Sequence, residues 1–390
     1  MSPWMKSTYR PTNSKMFTNG PDEHVLPFGD SSTISRNMKS ASQPTVNCEP
    51  DDLSSYLLQF YKLIPFFIFL AVISSAGSSY AKCREIIDTE GRTVAIPENI
   101  HRAVVLSGTC IETIYILGSL DRVAGISRSI IDSALCNFIP ALKKIPVIAQ
   151  SIRNINIERV LALKPDILVT MGPEHPLGMD RKTIKRLEEF GIPVVLLNLD
   201  SLDENYYSIE LMGTIFGNER RAAELINHMK GIIGDIQGKL KKIDDTRRIK
   251  ALYISGARPN YIAGGYWGKQ DIRVLAGAHN VAKEIKLFMT TVSFEQISIW
   301  NPDVITISAS AKYTAADVIN DPHLRHINAV RQKRVYKHPR EIAGLFTPRV
   351  PLLLAWHTAK FYPELMIDWA GITDKFFKKF YGVLYHGPRD

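Results

Sequence analysis

Catalytic signatures are what this sequence lacks most clearly. It contains no G-x-S-x-G nucleophile elbow and no H-E-x-x-H motif, which disfavours the hydrolases and metalloproteases that rely on them. The stretch AGGYWGKQ has the outline of a phosphate loop. However, Ala263 stands where that motif requires its first glycine, and Gln270 stands where it requires serine or threonine. The sequence therefore predicts a protein that is not an enzyme.

A dense basic surface is also missing. The net charge of +9 over 390 residues is spread along the chain, and no Lys/Arg stripe is interleaved with aromatic residues. Nucleic acid is therefore not an expected partner. The apolar fraction of 45% and the charged fraction of 22% are ordinary for globular proteins. A chain of this length has room for more than one domain.

Cysteine is scarce, with four residues in the chain. No C-x-x-C pair and no Cys/His spacing predicts a zinc site. Cys48 and Cys83 lie towards the N-terminus, whereas Cys110 and Cys136 lie in the regular part of the chain. The latter two either pair in an oxidising compartment or remain two buried thiols, and the sequence leaves both open.

The first 61 residues have no apolar period. Residues 1–61 are rich in Ser, Thr, Asn and Pro, which predicts a disordered N-terminal extension. A start codon placed too early would explain such an extension, and Met38 is a later candidate start. Residues 62–81 then supply Lys62, an apolar run and a small-residue end, the order of a secretory signal peptide. We therefore expect export to the periplasm or to the outer face of the cytoplasmic membrane.

The end of the signal segment bears on anchoring. The apolar run is shorter than the roughly 20 residues that span a bilayer. Cys83 stands where a lipid-modified cysteine would be, but Lys82 occupies a position that should be small. We therefore expect cleavage after Ala81, and a retained anchor stays open as the alternative.

Two stretches of the chain are near copies of each other. IERVLALKPDILVT begins at Ile157 and FEQISIWNPDVITI begins at Phe294. Each predicts a short helix, a Pro-Asp turn and a buried strand. The repetition indicates two lobes of similar build.

Apolar strands without polar alternation recur around these stretches, separated by helical segments. That pattern predicts parallel sheets covered on both faces. The fold class expected is α/β, with two Rossmann-like lobes joined by one long rigid helix. The predicted boundaries are 82–200 for the N-terminal lobe, 201–244 for the linking helix and 245–390 for the C-terminal lobe.

From about Arg92 to Gly382 the chain resembles the class III solute-binding proteins of ABC importers. The resemblance is carried by motifs in family order on both sides of the predicted helix: GRTVAIPENIHRAVVLSG, LGSLDRVAGIS, IERVLALKPDILVT, VLAGAHNVAKE and SFEQISIWNPDVITI. It implies a monomeric extracytoplasmic protein without a cofactor. Such a protein captures an iron-siderophore, haem or cobalamin between its lobes and closes by only a few degrees.

The resemblance also gives the doubled stretch a role. In that family an acidic residue at the start of each such helix stands at the tip of its lobe and pairs with arginines of the permease dimer. By motif match these residues are Glu158 and Glu295. The alternative is that each carboxylate complements its helix dipole, which is worth about 0.3–1 kcal/mol.

Ligand-binding loops are expected after the carboxyl ends of the parallel strands, where open α/β sheets bind their ligands. The residues predicted to bind ligand in these loops are Ser107, Thr109, Arg128, Met171, His175, Arg258, Tyr261, Tyr266, Trp267, Lys312, Tyr313, His338 and Arg340. Their basic members suit carboxylates or catecholates, and their aromatic members suit a flat ligand. The alternative roles are solvated loop side chains and packing between lobes.

A metal complex is preferred over a bare ion as the ligand. His175 follows a buried strand and is placed to ligate the open position of an iron or nickel chelate. However, the histidines are scattered, and no protein metal site is predicted. Two other functions stay open: a secreted enzyme on the same fold, and a membrane-tethered sensor or scaffold that binds protein partners.

Overall fold

The structure, a computed structural model, describes residues 82–265, 271–344 and 347–389. The N-terminal extension predicted over 1–61 and the signal peptide predicted over 62–81 lie outside these ranges. Across the described ranges, no helix combines the length and the apolar character that crossing a bilayer requires.

A parallel sheet forms the centre of the first lobe, as predicted. An antiparallel hairpin of β1 (Cys83–Ile87) and β2 (Thr93–Pro97) precedes it. The sheet has the strand order β5-β4-β3-β6-β7. Its strands are β3 (Ala103–Val105), β4 (Val123–Ser127), β5 (Val147–Ala149), β6 (Ile167–Thr170) and β7 (Val194–Leu196).

Helices cover both faces of this sheet because successive strand residues are apolar and point to opposite sides. The helices are α1 (Gly108–Ile116), α2 (Arg128–Ile131), α3 (Leu135–Phe138), α4 (Ile157–Ala162), α5 (Arg181–Glu189) and α6 (Leu202–Phe216). Val104 and Leu168 pack into the core that includes residues of α4 and α5. Val105 and Val169 pack into the core that includes residues of α1 and α6.

The linking segment is two helices, which corrects the prediction of a single helix over 201–244. α6 ends at Gly217, whose φ of +67° is left-handed, and α7 (Glu219–Leu240) begins two residues later. Glycine adopts this conformation without steric cost, so it ends α6. Gly213 lets the two helices approach closely, since a Cβ atom there would lie 2.6 Å from that of Ala222.

The long helix that joins the lobes is α7 alone. Its 22 residues correspond to about 33 Å. Near its start, Arg221 Nε donates to Ile116 O of α1 at 3.2 Å. Near its end, Gln237 Nε2 donates to Leu275 O in the second lobe at 2.8 Å.

The second lobe has a mixed sheet with the order β11-β9-β8-β12-β13, and β10 also pairs with β8. Its strands are β8 (Lys250–Ile254), β9 (Tyr261–Ala263), β10 (His279–Asn280), β11 (Met289–Thr291), β12 (Val304–Ile307) and β13 (Val335–Lys337). β8, β12 and β13 run parallel. β9 is antiparallel to β8, because the loop between them is too short for the crossover that a parallel pair requires.

The remaining helices of the second half are short except for the last two. They are α8 (Ile272–Leu275), α9 (Phe294–Trp300), α10 (Ala315–Ile319), α11 (Asn328–Arg331), α12 (Val350–Phe361) and α13 (Trp369–Phe380). Single 3-10 turns lie at Leu120–Arg122, Pro140–Lys144, Asp245–Arg247 and Pro363–Leu365. Pro351 lies in the first turn of α12, as expected from its missing N–H.

The C-terminal helix α13 returns to the first lobe. Tyr115 Oη of α1 donates to Tyr381 O at 3.2 Å, and the rings of Phe138 and Phe377 meet edge to face at 5.2 Å. One apolar core therefore runs from the first sheet through α7, α12 and α13 to the second sheet, where it includes Val304.

Candidate functional site

The doubled stretch folds as two matching helix starts. The side chain of Asn156 caps α4 and that of Ser293 caps α9, and each accepts a backbone N–H from the third residue after it. Glu158 and Glu295 occupy the same position in the first turn of their helices, and both are exposed. Backbone and Ser293 hydrogen bonds lower the pKa of Glu295, which keeps this carboxylate charged.

On the first lobe, the residues predicted to bind ligand differ in exposure. Ser107 is buried and hydrogen-bonds to Cys110, whose pKa burial raises to about 12. Met171 is buried after β6, whereas Thr109 is half-buried and Arg128 is exposed at the start of α2. Arg128 and Thr109 are therefore the side chains that solvent reaches here.

The structure also decides between the disulfide and the two free thiols that the sequence left open in the first lobe. Cys110 and Cys136 are both buried free thiols, not a disulfide. Burial also raises the pKa of Cys136. Neither thiol is therefore suited to reaction or to metal binding.

His175 is held inside its own loop. Its Nδ1 accepts the N–H of Leu177 at 3.0 Å, and its Nε2 lies 3.7 Å from Asp200 Oδ1. Burial, and then the charge of Arg153, lower the pKa of His175 to about 4, so the ring is neutral at pH 7. Nδ1 is bonded within the loop and the buried Nε2 faces Asp200, which follows β7, so the contacts favour a structural role over ligation of a chelate.

In the second lobe, the residues predicted to bind ligand also differ in their exposure to solvent. Arg258, Tyr261 and Lys312 are exposed. Tyr313 is buried, and its hydroxyl donates to Ser255 O at 2.9 Å. Burial raises the pKa of Tyr313, which therefore acts as a fixed hydroxyl.

Two of the predicted aromatic contacts, Tyr266 and Trp267, lie outside the described residues. Their proposed stacking on a flat ligand stays a prediction.

The loop after β13 reaches across to the first lobe. Arg340 Nη2 donates to Asp132 O at 3.2 Å, directly after α2. Asn137 Nδ2 donates to Glu341 Oε1 at 3.3 Å. The predicted loops around Arg128 and Arg340 therefore face each other where the lobes meet.

A cavity of about 200 Å³ opens beside this meeting point. We call it the second-lobe pocket, and it is lined by Tyr253, Ser308, Ala309, Ser310, His338, Ala343, Gly344 and Leu353. The polar lining residues lie in β8 or directly after β12 and β13. This is the strand-end location that the sequence predicted for a ligand.

A second cavity of about 470 Å³ lies in the second lobe beside α9. Its lining includes Ser293 and Gln296 from the start of α9, together with Glu284 and Trp300. It is therefore adjacent to the helix that carries Glu295.

A buried network that sequence reasoning missed joins the two lobes. Arg349 donates from Nε and Nη2 to the two carboxylate oxygens of Glu112, at 2.7 and 2.9 Å. Tyr381 donates to the same carboxylate, and Arg349 also donates to the carbonyl of Glu341. The partners are 237 positions apart, so no local pattern could have revealed the pair.

Metal ligands do not converge in the part of the chain that the structure describes. No group of three or more His, Cys, Asp or Glu side chains there is placed to hold a metal ion.

Comparison with known proteins connects this geometry to a family. A family model described as "Periplasmic binding protein" matches residues 104–341. The molybdate-binding protein MolA of Haemophilus influenzae is 25% identical over 342 residues, which are 80% of this chain and 95% of MolA. The solved structure of MolA bound to molybdate has a TM-score of 0.69 at 23% identity, covering 78% of this chain and 100% of that one.

Two further relatives match smaller parts of the chain. YvrC of Bacillus subtilis, described as an uncharacterised ABC transporter substrate-binding lipoprotein, is 28% identical over 68% of this chain and 81% of its own length. The vitamin B12-binding protein of Pectobacterium atrosepticum is 26% identical over 59% of this chain and 78% of its own length.

Proposed function

Because the chain belongs to the periplasmic binding protein family, whose members are substrate-binding proteins of ABC transporters, we propose that it captures a metal-bearing small molecule and delivers it to a permease. The observation that carries this proposal is the family match over 104–341, which spans both sheets and the helix between them. The family binds solutes, so the enzyme and scaffold alternatives have no supporting observation in the described residues.

The ligand class rests on two kinds of support. Relatives of this chain are named for binding molybdate or vitamin B12, and both of these ligands contain a metal. The lobes of this chain meet at loops that carry Arg128 and Arg340. We propose an iron chelate of the siderophore type or a related metal compound, such as cobalamin, haem or a metal oxyanion, as the ligand.

Permease docking is proposed for Glu158 and Glu295. The two carboxylates are exposed at the same position of equivalent helices, one on each lobe. Paired surface charges of this kind orient a partner and speed encounter more than they add affinity. The cavity beside α9 offers a recess next to Glu295 for a permease side chain.

The two lobes close over the ligand by only a small relative movement. The lobes are already joined by α7, α13 and the buried pair of Glu112 with Arg349. Such joins restrict relative motion to small angles, so the ligand is enclosed mainly by the loops around Arg128 and Arg340. The protein acts outside the cytoplasmic membrane after export directed by residues 62–81.

The test is uptake by the double variant Glu158→Ala/Glu295→Ala. Cells or proteoliposomes that carry the cognate permease are expected to lose uptake, because both lobes lose their contact. Ligand affinity should stay within about twofold of the wild type, since neither carboxylate lies among the ligand loops. Glu210→Ala/Glu364→Ala, which also removes two exposed carboxylates, should retain uptake. A large loss of ligand affinity in the first variant would refute the docking role.

A further inference from the structure

The second-lobe pocket presents hydroxyl groups from one short loop. Ser308 Oγ and Ser310 Oγ lie 2.9 Å apart, and Ser310 N donates to Ser308 Oγ at 3.3 Å. The phenol of Tyr253 adds a third hydroxyl to this wall and is hydrogen-bonded to Ser308. These hydrogen bonds leave at most one of the two serine protons for a further acceptor.

His338 supplies an imidazole nitrogen that the described residues do not use. The residue is 6% exposed, and its buried Nε2 has no hydrogen-bond partner among the described residues. Aromatic rings fix its position, with Trp356 edge to face at 4.9 Å and His357 at 4.8 Å. A buried nitrogen without a partner is costly, so a ligand that bonds to it is stabilised.

Arg273 is the charged group that acts on this imidazole. Burial, and then the charge of Arg273, lower the pKa of His338 to about 3. Arg273 also lowers the pKa of His357, after burial and His338. The Nε and Nη2 atoms of Arg273 donate to Asp271, whereas the buried Nη1 of Arg273 has no partner in the part of the chain described. The residues that line the pocket in that part include no carboxylate.

We propose that the second-lobe pocket binds an oxyanion group of the ligand, with His338 and one hydroxyl of the Ser308–Ser310 pair donating to its oxygens. This rests on the proposed solute-binding function and narrows its ligand class. A cavity of about 200 Å³ encloses a small tetrahedral oxyanion whole, whereas a bulky chelate would place only a carboxylate or phosphate arm in it. A bare metal cation is not the expected ligand, because the described lining of the pocket has no carboxylate and no second imidazole to complete a metal site.

The experiment is calorimetric titration of the purified, ligand-stripped protein with three probes. Molybdate and sulfate represent free tetrahedral oxyanions, and ferric citrate represents a chelate that carries carboxylates. Binding of a tetrahedral anion at one site per chain identifies a free oxyanion. Binding of ferric citrate alone identifies an arm of a chelate. If the protein binds none of the three probes, the proposal is overturned.

Variants then connect binding to the pocket. His338→Leu removes the imidazole donor and Ser308→Ala disrupts the hydroxyl pair, and the affinity for the bound probe is expected to fall by about tenfold to a hundredfold in each variant. Ser298→Ala removes an exposed hydroxyl that does not line the pocket and should leave affinity within about twofold. The melting temperature of each variant reports folding. If affinity changes by less than about twofold in both folded pocket variants, the proposal is wrong.

Uptake separates this proposal from the function on which it rests. If the protein retains an uncharged chelate from its host and supports its uptake, the oxyanion proposal fails and the transport function stands. If molybdate or sulfate binds at the pocket but no ligand is taken up with the cognate permease, the transport function fails and the oxyanion site stands.

Discussion

The two lobes contain the same helix-turn-strand unit in different surroundings. In both, the helix is followed by a residue of left-handed conformation before the Pro-Asp pair, Lys164 with φ of 45° and Asn301 with φ of 44°. Asp166 accepts the N–H of Arg102 at 2.8 Å, and Asp303 accepts that of Lys250 at 2.9 Å. The unit therefore fixes the start of the neighbouring strand in each sheet.

The lobes differ at the opposite, carboxyl ends of their strands. In the first lobe the loop of His175 is closed by its own hydrogen bonds. In the second lobe the loops of Ser308 and His338 leave a cavity of about 200 Å³. The repeated unit thus supplies the scaffold twice, whereas the loops at the opposite ends of the strands are not equivalent.

Removing the buried ion pair that joins the lobes should have the largest effect on the stability of the protein. Glu112→Ala leaves the Arg349 guanidinium buried without its carboxylate, so we expect the free energy of unfolding to fall by about 3–5 kcal/mol. Urea denaturation measures this. Asp374→Asn, which breaks the partly exposed pair with Arg389, should cost at most about 1 kcal/mol. Equal effects in the two variants would show that the buried pair stabilises the protein no more than the exposed pair does.

Acid should lower the stability of the protein through its buried histidines, among them His175 and His338. The unfolded imidazole binds a proton below pH 6.5, whereas His175 does so only near pH 4 and His338 only near pH 3. Their contributions to stability are therefore complete above pH 6.5 and decline on acidification towards those values. We expect a loss of roughly 1–3 kcal/mol per ring.

Unfolding curves measured between pH 7 and pH 4 test this expectation. His175→Gln should flatten the acid dependence above pH 4, and its control is His323→Gln, which removes an exposed ring. An unchanged slope in His175→Gln would contradict the burial argument.

A smaller effect is expected where α6 and α7 cross. Gly213→Ala places a Cβ atom 2.6 Å from that of Ala222, so the free energy of unfolding should fall by about 1–3 kcal/mol. Gly238→Ala in α7 meets nothing within 4 Å and should raise stability by about 0.4–1 kcal/mol. Thermal melts distinguish the two signs. Stabilisation by Gly213→Ala would exclude the close crossing.

Much of the fold could be predicted from local patterns. The strands and helices around Val104, Leu168 and Val304 follow from apolar runs bounded by turns, and the copied stretch around Pro165 and Pro302 predicted two lobes. The predicted loops around Arg128 and Arg340 do face each other. These features depend on residues that are close together in the sequence, and the apolar periodicity of such residues predicts secondary structure directly.

Other features could not be predicted. The break at Gly217 depends on the packing of α7 back against α6, which overrides a continuous helical pattern. The antiparallel strands β9 and β11 depend on loop length rather than on strand composition. The position of His175 after a strand predicted a ligand contact, but the hydrogen bond from Leu177 N fixes the orientation of its ring within the loop.

The sequence by itself determined the two α/β lobes, the family and the matched carboxylates Glu158 and Glu295, because each is written in contiguous residues. Only the tertiary structure decided the pairing of Glu112 with Arg349 and the pocket at His338. Both depend on residues brought together from distant parts of the chain. Burial there sets the charge and hydrogen-bonding state of each group, and no local pattern encodes burial.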